Sequence, residues 1–303
     1  MLHEDNSPSI APIENHRKRE KGVLVYPVYS RRSNGLSVGI NLFPDKKRCN
    51  FDCPYCEVFP FPGKDEFSPA LMEADLRDAI GAALERKIPV KDICFSGNGE
   101  PTLSSFFPEA LDAAGRVRAE LVPEAKLVLI TNGSFLLDEK LFSLLSKAAF
   151  SPGLDIWLKL DTGTVDWYKK MNRSNLPYNK IIAGIKEFVA CAPVTIQTML
   201  CKIDGEGPPP LEAEAWEKLI LELAAIAKNF TAKGRAGILK AHMRALQIQI
   251  YGKARPSPDD PVAEALPTEY LEVRAASLRT ALAKLCAAAS SATDIAPNIE
   301  VYP

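Results

Sequence analysis

The chain has 303 residues and a mass of 33.2 kDa, with 47% hydrophobic and 25% charged residues, close to the globular average. These values exclude global disorder, a collagen-like fibre and a disulfide-stapled mini-protein, and allow either two ordinary domains or one α/β barrel. Lys plus Arg is 37 against Asp plus Glu 38, a net charge of −1 with pI ≈ 6.4, so composition demands neither a nucleic-acid nor an anionic-membrane partner.

No apolar run is long enough to span a bilayer, and the opening MLHEDNSPSI has no apolar core of a secretory signal. Seven cysteines, an odd number, then point to a reducing, cytoplasmic setting with free or metal-bound thiols. Residues 1–22 are polar and aperiodic and read as a mobile arm; the basic run Arg17–Lys21 is expected to be a solvated face of it. From about residue 35 strand-like runs alternate with helical ones. The expected strands are 36–41, 92–97, 126–132, 155–161, 194–200 and 245–251. The first helix opens at Ser68-Pro69, with Ser as N-cap and Pro in the first turn. Further helical stretches cover 104–121, 137–150, 179–191 and 211–230. Six strands separated by helices imply a parallel sheet. Residues 254–267 read as a linker and 268–289 as a C-terminal helix outside the sheet. The organisation is thus an arm over 1–22, a core domain over 23–255, and a linker with helical extension over 256–303.

The strands alternate where a parallel sheet buried on both faces would be apolar throughout. Ile156, Leu158 and Leu160 share one face, with Asp155, Trp157, Lys159 and Asp161 on the other; Leu246, Ile248 and Ile250 oppose Gln247, Gln249 and Tyr251. One face suits a helical layer. The other suits the lumen of a barrel or partial barrel, where Gln197, Gln247, Gln249 and Tyr251 either hold a ligand or form ordinary core hydrogen bonds.

Three cysteines fall together in CNFDCPYC, a C-x3-C-x2-C spacing that directly follows the 36–41 strand. Parallel α/β folds place their sites at such carboxyl ends. Three thiolates on a short loop match three corners of a [4Fe–4S] cube and leave one iron open for an amino acid to chelate. A structural zinc wants four closed ligands, usually from C-x2-C pairs, and a ferredoxin wants a fourth cysteine; neither pattern is present. Three merely structural thiols is the bland alternative.

The spacing, including Tyr55 just before the last cysteine, resembles that of the radical S-adenosylmethionine (radical SAM) enzymes, over about residues 35–255. SGNGEPTL is similar to the family's Gly-Gly-Glu motif, with Asn98, Gly99 and Glu100 at its positions; TNGS and KLDTGT follow in the family's order. The resemblance implies a partial (βα)6 barrel. It implies Cys49, Cys53 and Cys56 as ligands of a [4Fe–4S] cluster. It also implies Tyr55, Asn98, Gly99, Glu100, Thr131, Asn132, Lys159 and Asp161 around S-adenosyl-L-methionine, with Glu100 accepting from the ligand ammonium. Which of Lys159 and Asp161 touches the ligand stays open, and a helix cap is the structural alternative for Glu100. The activity implied is reductive cleavage of S-adenosylmethionine to a 5′-deoxyadenosyl radical that takes hydrogen from an unidentified substrate, fed by a flavodoxin- or ferredoxin-type electron donor. RNA, protein and small-molecule substrates all stay open. The alternative is a non-catalytic Fe–S electron carrier or sensor. The phrases KLDTGT, MNRS and IQIYGKARP resemble the branch of tRNA wyosine synthase. Those enzymes carry further cysteines upstream of the triplet, however, and this chain has none before Cys49.

The remaining cysteines, Cys94, Cys191 and Cys286, read as small buried hydrophobes. Cys201 lies at the carboxyl end of the 194–200 strand on the parity of Gln197 and Met199, and either faces the site, as a hydrogen donor or extra ligand, or is a further small buried hydrophobe. Arg31, Arg32, Lys46, Lys47 and Arg48 surround the cysteine loop in sequence and suit an anionic substrate, a tuned cluster or plain solvation equally.

Overall fold

The computed structural model describes residues 22–58, 63, 66–232, 245–287 and 297–303. The expected arm, but for Gly22, lies outside the described residues.

All six expected strands form, as β2 (Gly35–Asn41), β3 (Val90–Ser96), β4 (Lys126–Thr131), β5 (Leu154–Lys159), β6 (Val194–Ile203) and β7 (Leu246–Gly252). They pair in that order, all parallel. Three strands are additional. β1 (Val25–Ser30) makes an antiparallel hairpin with β2, and β9 (Asn298–Tyr302) adds in parallel to β7. The short β8 (Ala263–Ala265) pairs antiparallel with the end of β6. The sheet curls into a partial barrel, with β1 and β9 at its two edges. The segment read as a linker and helical extension therefore also supplies two strands, one of them a wall of the sheet.

Helices α1 (Pro69–Glu85), α2 (Phe107–Leu121), α3 (Glu139–Ala148), α5 (Tyr178–Val189), α6 (Pro210–Ala232) and α7 (Thr268–Ala287) answer the helical patterns. Ser68 caps α1 as the sequence predicts, its side chain accepting from Leu71 N–H. Helix α2 starts three residues later than expected, because Ser104 closes a turn onto Phe106 N–H. The seven-residue α4 (Val165–Met171), capped by Thr164, had no periodic signal long enough to find.

The alternation in the strands sorts as expected. Ile40, Phe95, Leu129, Ile156, Leu158, Ile196 and Ile248 are fully buried in one core between sheet and helices. On the inner face Cys94, Val128 and Trp157 form a small apolar group, with Lys159, Gln197 and Tyr251 beside it. Gln197 donates to Gln249 at 2.7 Å, and Gln249 to Glu300 at 3.2 Å. Two of the four candidate lumen residues thus carry a hydrogen-bonded inner layer. Among the described residues no helix is long and apolar enough to cross a membrane.

Candidate functional site

The cysteine loop leaves the end of β2 and lies over the carboxyl ends of β3 to β6. Its seat is backbone. Arg48 N–H donates to Asn98 O at 3.0 Å and Glu100 N–H to Arg48 O at 2.9 Å, a bridge between the loop and the turn after β3. This explains Gly99 directly. A Cβ there would stand 1.8 Å from Arg48 O, so the glycine admits the loop itself. Gly99→Ala must push that loop away, at about 1–3 kcal/mol of overpacking. We expect lower iron uptake on anaerobic reconstitution, with a modest fall in melting temperature; wild-type iron content would contradict this reading of the bridge.

Asn98 is buried and its Nδ2 donates to Phe43 O at 3.1 Å, holding the chain that enters the loop. Asn41 Oδ1 accepts from the N–H groups of Phe43 and Asn98. Asn41 was not singled out in the sequence, where it reads as the last residue of a strand.

Glu100 is 2% exposed and joins the tips of β3 and β4. Its Oε1 accepts from Thr102 N–H (3.1 Å), the Thr102 hydroxyl (2.7 Å) and the Thr131 hydroxyl (2.8 Å); its Oε2 accepts from Asn132 N–H (2.7 Å). Burial pushes the carboxyl above its usual range and these donors pull the other way. The cap geometry is therefore present, on a 3-10 turn over Pro101–Leu103. Asn132 reaches on to the cysteine loop: its Nδ2 donates to Asn50 Oδ1 at 2.7 Å and to Cys49 Sγ at 3.6 Å.

On the other side of the loop stands a second buried knot. Asp161, 4% exposed, accepts from the Tyr55 hydroxyl (2.5 Å), Asn172 Nδ2 (2.9 Å), Met199 N–H (2.9 Å) and Lys159 Nζ (2.9 Å). Lys159 also donates to the Tyr251 hydroxyl and lies 4.9 Å and 4.5 Å from the ring centres of Tyr55 and Tyr251. Burial alone would lower the Lys159 ammonium; Asp161 and Tyr251 reverse this and hold it above the ordinary lysine range. Asn172, the C-cap of α4, bonds Asp161 and also donates to Cys53 Sγ at 3.5 Å, while its carbonyl accepts from Asp52 N–H at 3.0 Å. Sequence reasoning missed Asn172, although it stands in the MNRS phrase; its partner Cys53 lies 119 residues away.

All eleven candidate site residues thus gather around one loop. Cys49 is exposed, and Cys53 and Cys56 are intermediate; all three are free. Burial pushes Cys53 up to about 12. Among the described residues no group of three His, Cys, Asp or Glu side chains is gathered tightly enough to hold a single metal ion. Cys201 is fully buried against Met171, with burial raising it to about 12 as well, in the apolar cluster that holds Tyr55 and Met199. Cys94 is buried in the inner face, as expected of a small hydrophobe. Cys191 is intermediate, its thiol turned back to Phe188 O, and the side chain of Cys286 lies outside those described. Beneath the loop the barrel forms a partly open cavity of about 550 Å³, lined in part by Tyr55, Cys56, Asn98, Trp157 and Tyr251.

Fold and site together define an α/β partial barrel with a three-thiol loop at the carboxyl ends of its strands. The model of the radical SAM superfamily matches residues 45–208, and the chain belongs to that superfamily. A UPF0026 protein of Helicobacter pylori is 31% identical over 176 residues, 56% of this chain and 53% of that protein. A UPF0026 protein of Synechocystis is 29% identical over 182 residues, 57% of this chain and 63% of that protein. The chain spans about half the length of the Helicobacter relative it matches. A radical SAM methyltransferase from Sphaerobacter thermophilus superposes with a TM-score of 0.59 at 15% identity, covering 92% of this chain and 69% of that one, which shows the shared fold. Archaeal TYW1 superposes more loosely, with a TM-score of 0.46 at 11% identity over 78% of this chain and 90% of that one.

Proposed function

We infer that this chain is a radical SAM enzyme whose Cys49, Cys53 and Cys56 hold a [4Fe–4S] cluster and whose lumen holds the substrate. One observation carries the reading. The free thiols share a loop over a cavity of about 550 Å³, and amide N–H groups of Asn132 and Asn172 are aimed at the sulfurs of Cys49 and Cys53. Such donors suit thiolates that ligate iron, since hydrogen bonds to the sulfurs are one determinant of cluster potential. When bound, the cluster and S-adenosylmethionine supply one-electron cleavage of the sulfonium and abstraction of a hydrogen atom from substrate.

The chain's own residues hold and orient. Asp161 fixes Tyr55 and, through Asn172, the Cys53 end of the loop; Asn132 fixes the Cys49 end. A carboxylate offers about four lone-pair sites, two on each oxygen. Glu100 Oε1 is saturated, whereas Oε2 has one partner, so Oε2 keeps a site for the ammonium of a bound methionine group. The substrate and the electron donor, of flavodoxin or ferredoxin type, are left to experiment.

Reduced, anaerobically reconstituted protein should carry about four irons per chain and release 5′-deoxyadenosine from S-adenosylmethionine. Cys49→Ala, Cys53→Ala or Cys56→Ala should abolish both, and Cys191→Ala neither. A full cluster without 5′-deoxyadenosine would point to an electron carrier or sensor, and about eight irons would mean a second cluster built from the scattered cysteines.

A further inference from the structure

The turn between β1 and β2 crosses the open side of the partial barrel to β9. Arg31 Nη1 donates to Pro303 O at 2.7 Å, and the Tyr302 hydroxyl donates to Arg32 O at 3.3 Å. Held at its main chain in this way, Arg32 enters the cavity and lies across two rings, 5.4 Å from the centre of Trp157 and 5.5 Å from that of Tyr251. Neighbouring cations are paired: Arg255 with Glu57 at 2.7 Å, and Lys159 with Asp161 at 2.9 Å. Among the described residues the Arg32 guanidinium has no carboxylate in ion-pair reach and no hydrogen-bond acceptor.

Asp92, an acid of the cavity wall, attracts Arg32 without forming an ion pair with it: its Oδ1 takes the Ser37 hydroxyl at 2.5 Å, and burial raises its carboxyl above the usual range while the Ser37 bond, Lys126 and Arg32 pull it back. Trp157 adds an independent sign. It is 5% exposed, lines the same cavity, and its indole N–H is sealed from solvent with no acceptor. Buried donors are nearly always satisfied and the Trp157 N–H is not; beside it the half-buried, unpaired Arg32 guanidinium lines the cavity, where an acceptor from outside the chain can meet it. A guanidinium carries five N–H groups in a planar fork that fits a carboxylate or phosphate in two-point contact, and stacking on aromatic rings fixes its plane in advance.

We propose that the lumen takes its substrate by an anionic group, a carboxylate or phosphate, gripped by Arg32 on the Trp157–Tyr251 platform. This rests on the reading that the lumen holds the substrate, and gives that substrate a class: an anion-bearing molecule small enough to share a cavity of about 550 Å³ with S-adenosylmethionine. The residue that reads it comes from the β1–β2 turn, outside the span that matches the superfamily model.

The test is calorimetric titration of reconstituted protein, at fixed ionic strength, with inorganic phosphate, with benzoate and with neutral benzamide. At least one anion should bind and benzamide should not. Phosphate alone, benzoate alone, or both would each support the site and assign the anion. Arg32→Gln should weaken binding roughly tenfold or more, and Arg32→Lys, which keeps the charge and loses the fork, by several-fold. Arg116→Gln, the same change at an outer-surface ion pair with Glu73, should bind as wild type and controls for net charge. Benzamide binding as tightly as benzoate, no anion binding at all, or wild-type affinity in both Arg32 variants would overturn the proposal. None of these readings needs turnover. Anion binding by a protein that makes no 5′-deoxyadenosine would defeat the functional reading and keep the subsite; 5′-deoxyadenosine without anion binding would do the reverse.

Discussion

Asp161→Asn should destabilise the protein by about 3–5 kcal/mol, and Lys159→Met by far less. The pair is buried, with side-chain exposures of 0% for Asp161 and 12% for Lys159, so removing one partner leaves the other in a medium that penalises charge. The penalty is unequal because the remaining contacts are unequal. Without its lysine, Asp161 still accepts from Tyr55, Asn172 and Met199 N–H. Without its aspartate, Lys159 keeps one hydroxyl and two ring faces. Asparagine also turns one acceptor oxygen into a donor, and all four of its neighbours donate. A loss of this size corresponds to a melting temperature lower by roughly 10 °C. Iron uptake should fall with it in Asp161→Asn, because Tyr55 and Asn172 hold the loop through this carboxylate. Thermal melts and iron content of both variants decide the matter. Equal losses would show that neither partner dominates, and a greater loss in Lys159→Met that the lysine rather than the aspartate organises the knot.

The knot also shows how far the sequence can be read. Lys159 and Asp161 were visible because they alternate with Ile156, Leu158 and Leu160, and a period of two assigns each residue a face. The cysteine triplet was visible because its spacing is local. Asn172 and Asn41 were not, because nothing within a few residues of either announces a partner; their contacts arise only when the sheet brings distant turns together. Gly99 stood out in the sequence only as a motif position around a ligand; the group that approaches it in the folded chain is Arg48 O of the cysteine loop. The missed strands have equally definite reasons. β1 contains Pro27, which marks an edge strand at best, and an edge is where it lies. β9 is five residues long, too short for periodicity to speak, and owes its pairing to β7 rather than to its own pattern. Helices on the outside followed from local signals; the two edges that shape the opening of the lumen did not.

Glu100→Gln should lose stability and ligand affinity together. The glutamate holds two backbone N–H groups, those of Thr102 and Asn132, on different oxygens, with two hydroxyls besides. A glutamine keeps one acceptor oxygen. Whichever way its amide turns, one backbone N–H faces an NH2 group in a site only 2% exposed. An unsatisfied buried donor costs about 1–3 kcal/mol, so the melting temperature should drop by several degrees. Thr102→Val removes only one hydroxyl donor and should cost about 1 kcal/mol, reporting the latch between β3 and β4 alone. Affinity for S-adenosylmethionine tests the other role. If the unused site on Oε2 takes the ligand ammonium, that charge-assisted bond is worth about 1.5–3 kcal/mol, and Glu100→Gln should bind the ligand roughly 10–100-fold more weakly. Thr102→Val should bind it nearly as wild type does. Calorimetry on reconstituted protein, beside thermal melts, separates the roles. A lower melting temperature with unchanged affinity would leave Glu100 as a latch only, and the methionine group would have to be held by other residues around the loop. Weakened affinity with an unchanged melting temperature would mean that these four hydrogen bonds add little to the stability of the ligand-free protein and that Glu100 serves the ligand alone.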